Sequence, residues 1–272
     1  MAGKNVPLTP GIVEYVALRL VRRFVFSESL LKRAGGLLPY YRANANEVDA
    51  RSVIASYERF LARCDRRLPA NPVILEIGSG TTNSVGYALA QHRLAGPRGR
   101  VVLYEPFARL DPAAERRHRA ALPADIAPRV QRISTLQVVA PGSVDIVLSN
   151  SVLEHVRDPA ATFAELDRVM SPSGFMLHVV DYRDHFFKYP FHFLLFPKRV
   201  WDRWLDPGDL PRWRLGDHLR LLEAGGFRTE VLDVESMPDE FVKIAPGIHP
   251  DFDRSDPNLA VVQAVLLVTR GR

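Results

Sequence analysis

The sequence predicts an α/β fold on a mostly parallel sheet, and three observations carry that expectation. Short apolar runs alternate with amphipathic stretches from residue 73 to residue 180, the pattern of strands joined by crossover helices. The first run leads into a glycine-containing turn, Glu76 to Asn83, that opens a helix. The last two runs, 228–234 and 260–269, have no helical stretch between them, which predicts an antiparallel edge.

In chain order, residues 12–25 place Ile12, Val16, Leu20 and Phe24 at i, i+4 spacing, with charges opposite, an amphipathic helix. A second stripe, from Asn46 through Val48, Ile54, Tyr57, Phe60, Leu61, Cys64 and Leu68, stops before Pro69 and Pro72. Together these predict an N-terminal helical cap over residues 1–69, which packs on the main domain, covers a site as a lid, or lies on a membrane surface through residues 19–32. The main domain follows over 70–272. Strands are expected at 73–76, 100–104, 130–134, 144–149 and 175–180, with helices at 87–94 and 159–170. Asp158 caps the latter, Pro159 occupies its first turn, and Pro172 with Gly174 ends it. Residues 182–213 are too long for an ordinary connection and too aromatic for a flexible linker, so they read as an insertion. Residues 215–224 form a helix closed by Gly225 and Gly226.

The composition removes several function classes. Against 36 basic residues stand 31 acidic ones, and 47% apolar with 25% charged positions is ordinary globular usage, which excludes a disordered or fibrous chain. The single cysteine, Cys64, excludes an internal disulfide and a thiolate metal site and favours a reducing, cytoplasmic setting. No run approaches the roughly 20 apolar residues that cross a bilayer, and no secretory segment is expected. The basic clusters at Arg63, Arg66 and Arg67 and at Arg116, Arg117 and Arg119 have acidic neighbours and no interleaved aromatics, so no nucleic-acid partner is expected.

The chemistry gathers at predicted strand ends. In Glu76-Ile77-Gly78-Ser79-Gly80 the glycines let a ligand approach the backbone. A dinucleotide fingerprint needs a third glycine where Asn83 stands, and Glu76 would repel a pyrophosphate but suit an ammonium or sulfonium group. Glu105, ending the second strand, suits a ribose diol. Ribose with ammonium points to a nucleoside amino acid; a nicotinamide oxidoreductase is the disfavoured alternative.

These residues, with the stretch Gly142 to Val156, resemble class I S-adenosylmethionine-dependent methyltransferases over roughly residues 70–270. The resemblance implies a Rossmann-like, seven-stranded sheet with helices on both faces and an antiparallel last strand. It implies that Glu76, Gly78, Ser79 and Gly80 line the methionine portion, that Glu105 holds the ribose, and that Asn150 and Ser151 face the cofactor. The family's last glycine of the turn falls on Thr82, and its acid after the third strand is missing, leaving Ser134 and Thr135 as adenine contacts.

The insertion, with Asp184, His185, Trp201, Trp204 and Trp213, looks like those of methyltransferases from polysaccharide and glycolipid assembly. Its aromatics stack on sugar faces or form the insertion's own core. The expected reaction is O-methylation of a saccharide or glycoconjugate hydroxyl, with another small molecule, a natural product or lipid, as the alternative acceptor. Proton removal from a hydroxyl needs a base. His155 follows the fourth strand, Asp181 ends the fifth, and His185 comes next. Asp181, Asp184 and His185 also suggest a divalent cation such as Mg2+. His178 reads as a core histidine. A homodimer is a further expectation, through the insertion's aromatics or the N-terminal helices.

Overall fold

The computed structural model describes residues 10–25 and 49–271, apart from residues 65, 67, 187, 207 and 209. Seven strands form one sheet: β1 (Val73–Ile77), β2 (Arg100–Tyr104), β3 (Val130–Ile133), β4 (Val144–Asn150), β5 (Met170–Asp181), β6 (Phe227–Ser236) and β7 (Val261–Arg270). Their order is β3-β2-β1-β4-β5-β7-β6, with the pairs from β3 to β5 parallel and the last strands antiparallel. This is the Rossmann-like seven-stranded sheet that the sequence predicts. The helices with ordinary α geometry are α1 (Pro10–Phe24), α2 (Ala50–Leu61), α3 (Ser84–Gln91), α4 (Pro112–Ala120), α5 (Pro159–Val169), α6 (Leu215–Ala224) and α7 (Pro238–Ile244).

Two elements differ from expectation for identifiable reasons. Helix α3 begins at Ser84 rather than at residue 87, because Gly86, a poor helix former, sits where a Cβ would fall 2.7 Å from Leu103 Cδ1 on β2. The glycine is the means by which helix and strand approach closely. Strand β5 begins at Met170, absorbing the expected turn: Val144 pairs with Met170 and Ile146 with Phe175, so residues 171–174 bulge out of the ladder. The structural description of the second helix begins at residue 49, so its expected start at 46–48 lies outside the described residues, as do residues 26–32 of the expected surface helix.

The chain divides into two compact units. Among the described residues, the first comprises 10–25, 181–217 and 235–263; the second comprises 49–180, 218–234 and 264–271. Helix α1 belongs to the first unit and helix α2 to the second.

In the second unit, Ile74, Ile146, Leu148 and Leu177 of the sheet pack with Val53, Ile54, Tyr57 and Phe60 of α2. On the other face of β5, His178 is fully buried beside Phe163 of α5, its Nδ1 2.7 Å from Ser149 Oγ, consistent with the core reading. Burial pushes its pKa down to about 3, with the neighbouring His218 adding to the effect.

In the first unit, Tyr15 of α1 is surrounded by Phe186, Tyr189, His192 and Phe196. Phe191, Phe193, Trp201 and Leu205 complete this core. Arg19 and Asp184 form an ion pair inside it, both essentially inaccessible, and the Tyr15 hydroxyl donates to the same carboxylate. Arg214, also buried, donates to the carbonyls of Tyr182, Leu259 and Val261. Most of the insertion's aromatics are therefore core; Trp204 remains 46% exposed and Trp213 half-buried.

Candidate cofactor site

Parallel pairing brings the carboxyl ends of β3, β2, β1 and β4 to one edge. Ile77 is level with Tyr104 on one side and Ser149 on the other, and Glu105 N–H donates to Ile133 C=O at 2.9 Å. Glu76, Glu105, Ser134 and Asn150 thus sit along a single rim of the second unit, where open α/β sheets bind ligands.

The glycine turn is fixed from both sides. Gly78 (φ +79°) donates to Tyr104 C=O at 2.9 Å, and a Cβ there would fall 2.4 Å from Val152 Cγ2. Gly80 (φ +64°) has nothing within 4 Å of where a Cβ would stand. One glycine permits close packing and the other leaves an open cradle; both adopt a conformation that L side chains disfavour.

Glu105 accepts Gly80 N–H at 2.9 Å on Oε2 and Phe107 and Ala108 N–H at 3.0 and 2.9 Å on Oε1. The carboxylate thereby ties the loop after β2 to the glycine turn, and Oε2 keeps the greater remaining acceptor capacity for a diol.

Glu76 is buried at 4% exposure, and its Oε2 has no hydrogen-bond partner. Burial pushes its pKa up to about 8. The Tyr57 hydroxyl, from α2, is likewise buried and unpartnered; burial and the Glu76 charge raise its pKa well above the usual phenol value. A buried acid with an empty acceptor beside an open glycine cradle calls for a cationic hydrogen-bond donor, which the ammonium of an amino acid supplies. The residues fit an S-adenosylmethionine-type ligand: Glu76 for the ammonium, the backbone at Gly78 to Gly80 for the amino-acid chain, and Glu105 for the ribose.

The other expected contacts are distributed less evenly. Ser79 Oγ accepts from Arg132 Nη1 at 2.9 Å. Thr135 Oγ1 caps a short 3-10 turn, accepting from Gln137 N–H at 3.3 Å, and Ser134 is exposed. Ser151 has a left-handed backbone (φ 53°) and donates to Asn150 Oδ1 at 3.1 Å. A non-glycine residue held there at a strand end is the kind of local strain found at functional sites. His155 lies half-buried in the 3-10 turn Leu153–His155 that follows β4.

Sequence reasoning missed Arg132 on β3. Its guanidinium bonds Ser79 Oγ, Asn83 Oδ1 at 3.3 Å, Gly80 C=O at 2.6 Å and Ala108 C=O at 2.8 Å, clamping the turn and the following loop together. Asn83 passes the network to Glu115, which also accepts from Tyr87 and Arg119. An arginine inside a short predicted strand was the available signal.

The expected metal site is not supported. No group of three or more His, Cys, Asp or Glu side chains among the described residues is placed to hold an ion. Asp184 is the buried partner of Arg19, and Asp181 pairs with Arg183 through three side-chain contacts at 2.9, 3.2 and 2.6 Å. His185 Nδ1 lies 3.3 Å from Arg183 C=O. Each carboxylate faces its own guanidinium rather than a shared cation. Asp181 and His185 belong to the first unit, and the rim residues with His155 belong to the second.

Residues 75–178 match the family described as "Methyltransferase domain". No curated protein sequence matches the chain. Among solved structures, an S-adenosylmethionine-dependent methyltransferase from Mesorhizobium loti is 19% identical, with 79% of this chain and 98% of that one covered and a TM-score of 0.46. The YcgJ protein of Bacillus subtilis is 14% identical, with 80% and 98% covered and a TM-score of 0.49. The [4+2]-cyclase SpnF is 18% identical, with 82% and 80% covered and a TM-score of 0.50.

The match to a methyltransferase domain extends over residues 75–178 of the chain, and S-adenosylmethionine is the cofactor that such a domain implies. No helix among the described residues is long and apolar enough to cross a membrane.

Proposed function

We propose that the protein methylates a hydroxyl group of a saccharide or glycoconjugate, with His155 as general base. The observation that carries the cofactor half of this reading is the buried Glu76 carboxyl, whose Oε2 has no hydrogen-bond partner, beside the open Gly80 cradle. When bound, S-adenosylmethionine supplies a methyl group on a sulfonium sulfur. Glu76 holds the ammonium, the Tyr57 hydroxyl offers a donor to the same amino-acid end, and Glu105 holds the ribose. His155 would accept the acceptor hydroxyl's proton on a ring nitrogen as the oxygen takes the methyl group, leaving the neutral thioether to depart. Asp181 is already engaged by Arg183, so proton removal is assigned to His155 alone.

The test has two stages. Calorimetric titration with S-adenosylhomocysteine, with NAD as control, is expected to show binding to the wild type that Glu105→Ala weakens and no binding of NAD. A glycan acceptor panel is then expected to yield a methylated product, with His155→Ala retaining S-adenosylhomocysteine affinity while turnover falls by roughly 10²–10⁴-fold. Cofactor binding without transfer to any glycan would reject the saccharide acceptor; unchanged turnover in His155→Ala would reject the base.

A further inference from the structure

The first unit carries an apolar groove unrelated to any residue of the cofactor site. Its cavity of about 580 Å³ is lined solely by apolar side chains, among them Leu20, Val21, Phe24 and Val25 on the α1 side and Val200 and Trp204 opposite. That volume lies within the range of small-molecule sites. Phe24, Val25 and Trp204 are 60%, 59% and 46% exposed, and the Phe24 and Trp204 rings sit 6.1 Å apart at the mouth.

The rim is basic. Arg23 lies over Phe24 at 5.7 Å and Arg203 over Trp204 at 5.2 Å, with Arg22 and Arg199 on the same two segments. Residues 18–25 contain no acid, and Asp202, the one acid within 198–205, is paired with Lys198 at 2.7 Å.

We propose that this groove docks the protein on a bilayer containing anionic lipid, with an acyl chain against Phe24 and Trp204 and lipid phosphates on the arginine rim. Apart from the Trp204 indole N–H the walls offer no hydrogen-bonding side chain, so a peptide seated there would bury most of its backbone polar groups without partners, whereas an acyl chain has none to bury. A second copy of the chain would bring basic rims face to face. Tryptophan and arginine together suit the boundary between hydrocarbon and phosphate. The inference stands apart from methyl transfer, and S-adenosylhomocysteine binding separates the two.

The test uses the full chain with vesicles of phosphatidylcholine alone or mixed with phosphatidylglycerol. Co-sedimentation with the mixed vesicles and a blue shift of tryptophan emission are expected, the shift disappearing in Trp204→Phe. Phe24→Asp should abolish sedimentation. Arg199→Gln with Arg203→Gln should weaken it about 25-fold, at roughly fivefold per cation. All variants should retain S-adenosylhomocysteine affinity and the wild-type near-UV circular dichroism and unfolding transition, which together show that both units are folded. Equal binding to both vesicle types, or binding untouched by Phe24→Asp, would overturn the proposal. So would Trp204 emission that is already blue without lipid and does not respond to it, or a solution dimer that Phe24→Asp dissolves.

Discussion

Glu76 makes cofactor affinity a function of pH. With its pKa near 8 in the ligand-free protein, the ionised fraction is about 1% at pH 6 and about 9% at pH 7. An ammonium ligand selects the ionised form, so apparent affinity scales with that fraction. S-Adenosylhomocysteine should therefore bind about ninefold more tightly at pH 7 than at pH 6 and release about 0.9 proton at pH 7. Titration calorimetry in buffers of different ionisation enthalpy measures both quantities. Glu76→Gln should bind more weakly at pH 7 and lose the pH slope. 5′-Methylthioadenosine, which carries the nucleoside without the ammonium, should show no slope with either protein. A wild-type affinity that is flat between pH 6 and pH 7, with no proton released, would refute the assignment of Glu76 as the ammonium partner.

The same carboxyl and His178 shape the stability of the ligand-free protein in opposite senses. His178, lowered from 6.5 to about 3, makes stability rise with pH between those values, because the unfolded state binds the extra proton; Glu76, raised from 4.5 to about 8, makes it fall across its own window. Each contributes a slope of ~1 kcal/mol per pH unit, so in these two contributions stability should climb from pH 3 to 4.5, level off to 6.5 and decline towards 8, with Glu76→Gln abolishing the decline in urea titrations. Glu105→Ala strands three backbone donors and should cost ~2 kcal/mol or more in denaturant unfolding, beside at least about tenfold in S-adenosylhomocysteine affinity. Asp184→Ala leaves Arg19 buried without its carboxylate and should destabilise the protein by about 3–5 kcal/mol; Arg19→Met combined with Asp184→Leu should recover most of that loss.

Features that depend on neighbours in sequence were readable before the structure. The helix expected at 215–224 is α6, Leu215–Ala224, because its apolar spacing and the glycine pair after it are local signals. The glycine turn and Glu105 were found as the ends of successive strands, and parallel pairing places such ends at one edge. What escaped were polar partners drawn from distant segments. Arg132 lies 53 positions from Ser79, and nothing local to either shows that the guanidinium closes over the turn. Asp184 and His185 looked like metal ligands because the sequence displays them together with Asp181, while the group that neutralises Asp184 is Arg19, 165 positions away. A buried carboxyl must either find a cation or keep its proton, and sequence proximity does not say which. Glu76 is the informative contrast: the fold buries its carboxyl as completely as that of Asp184 but gives Oε2 no protein donor. The partner missing from the chain is therefore to be sought in the ligand, which makes the unpaired acid, rather than the glycine pattern around it, the sharper physical argument for a cationic cofactor.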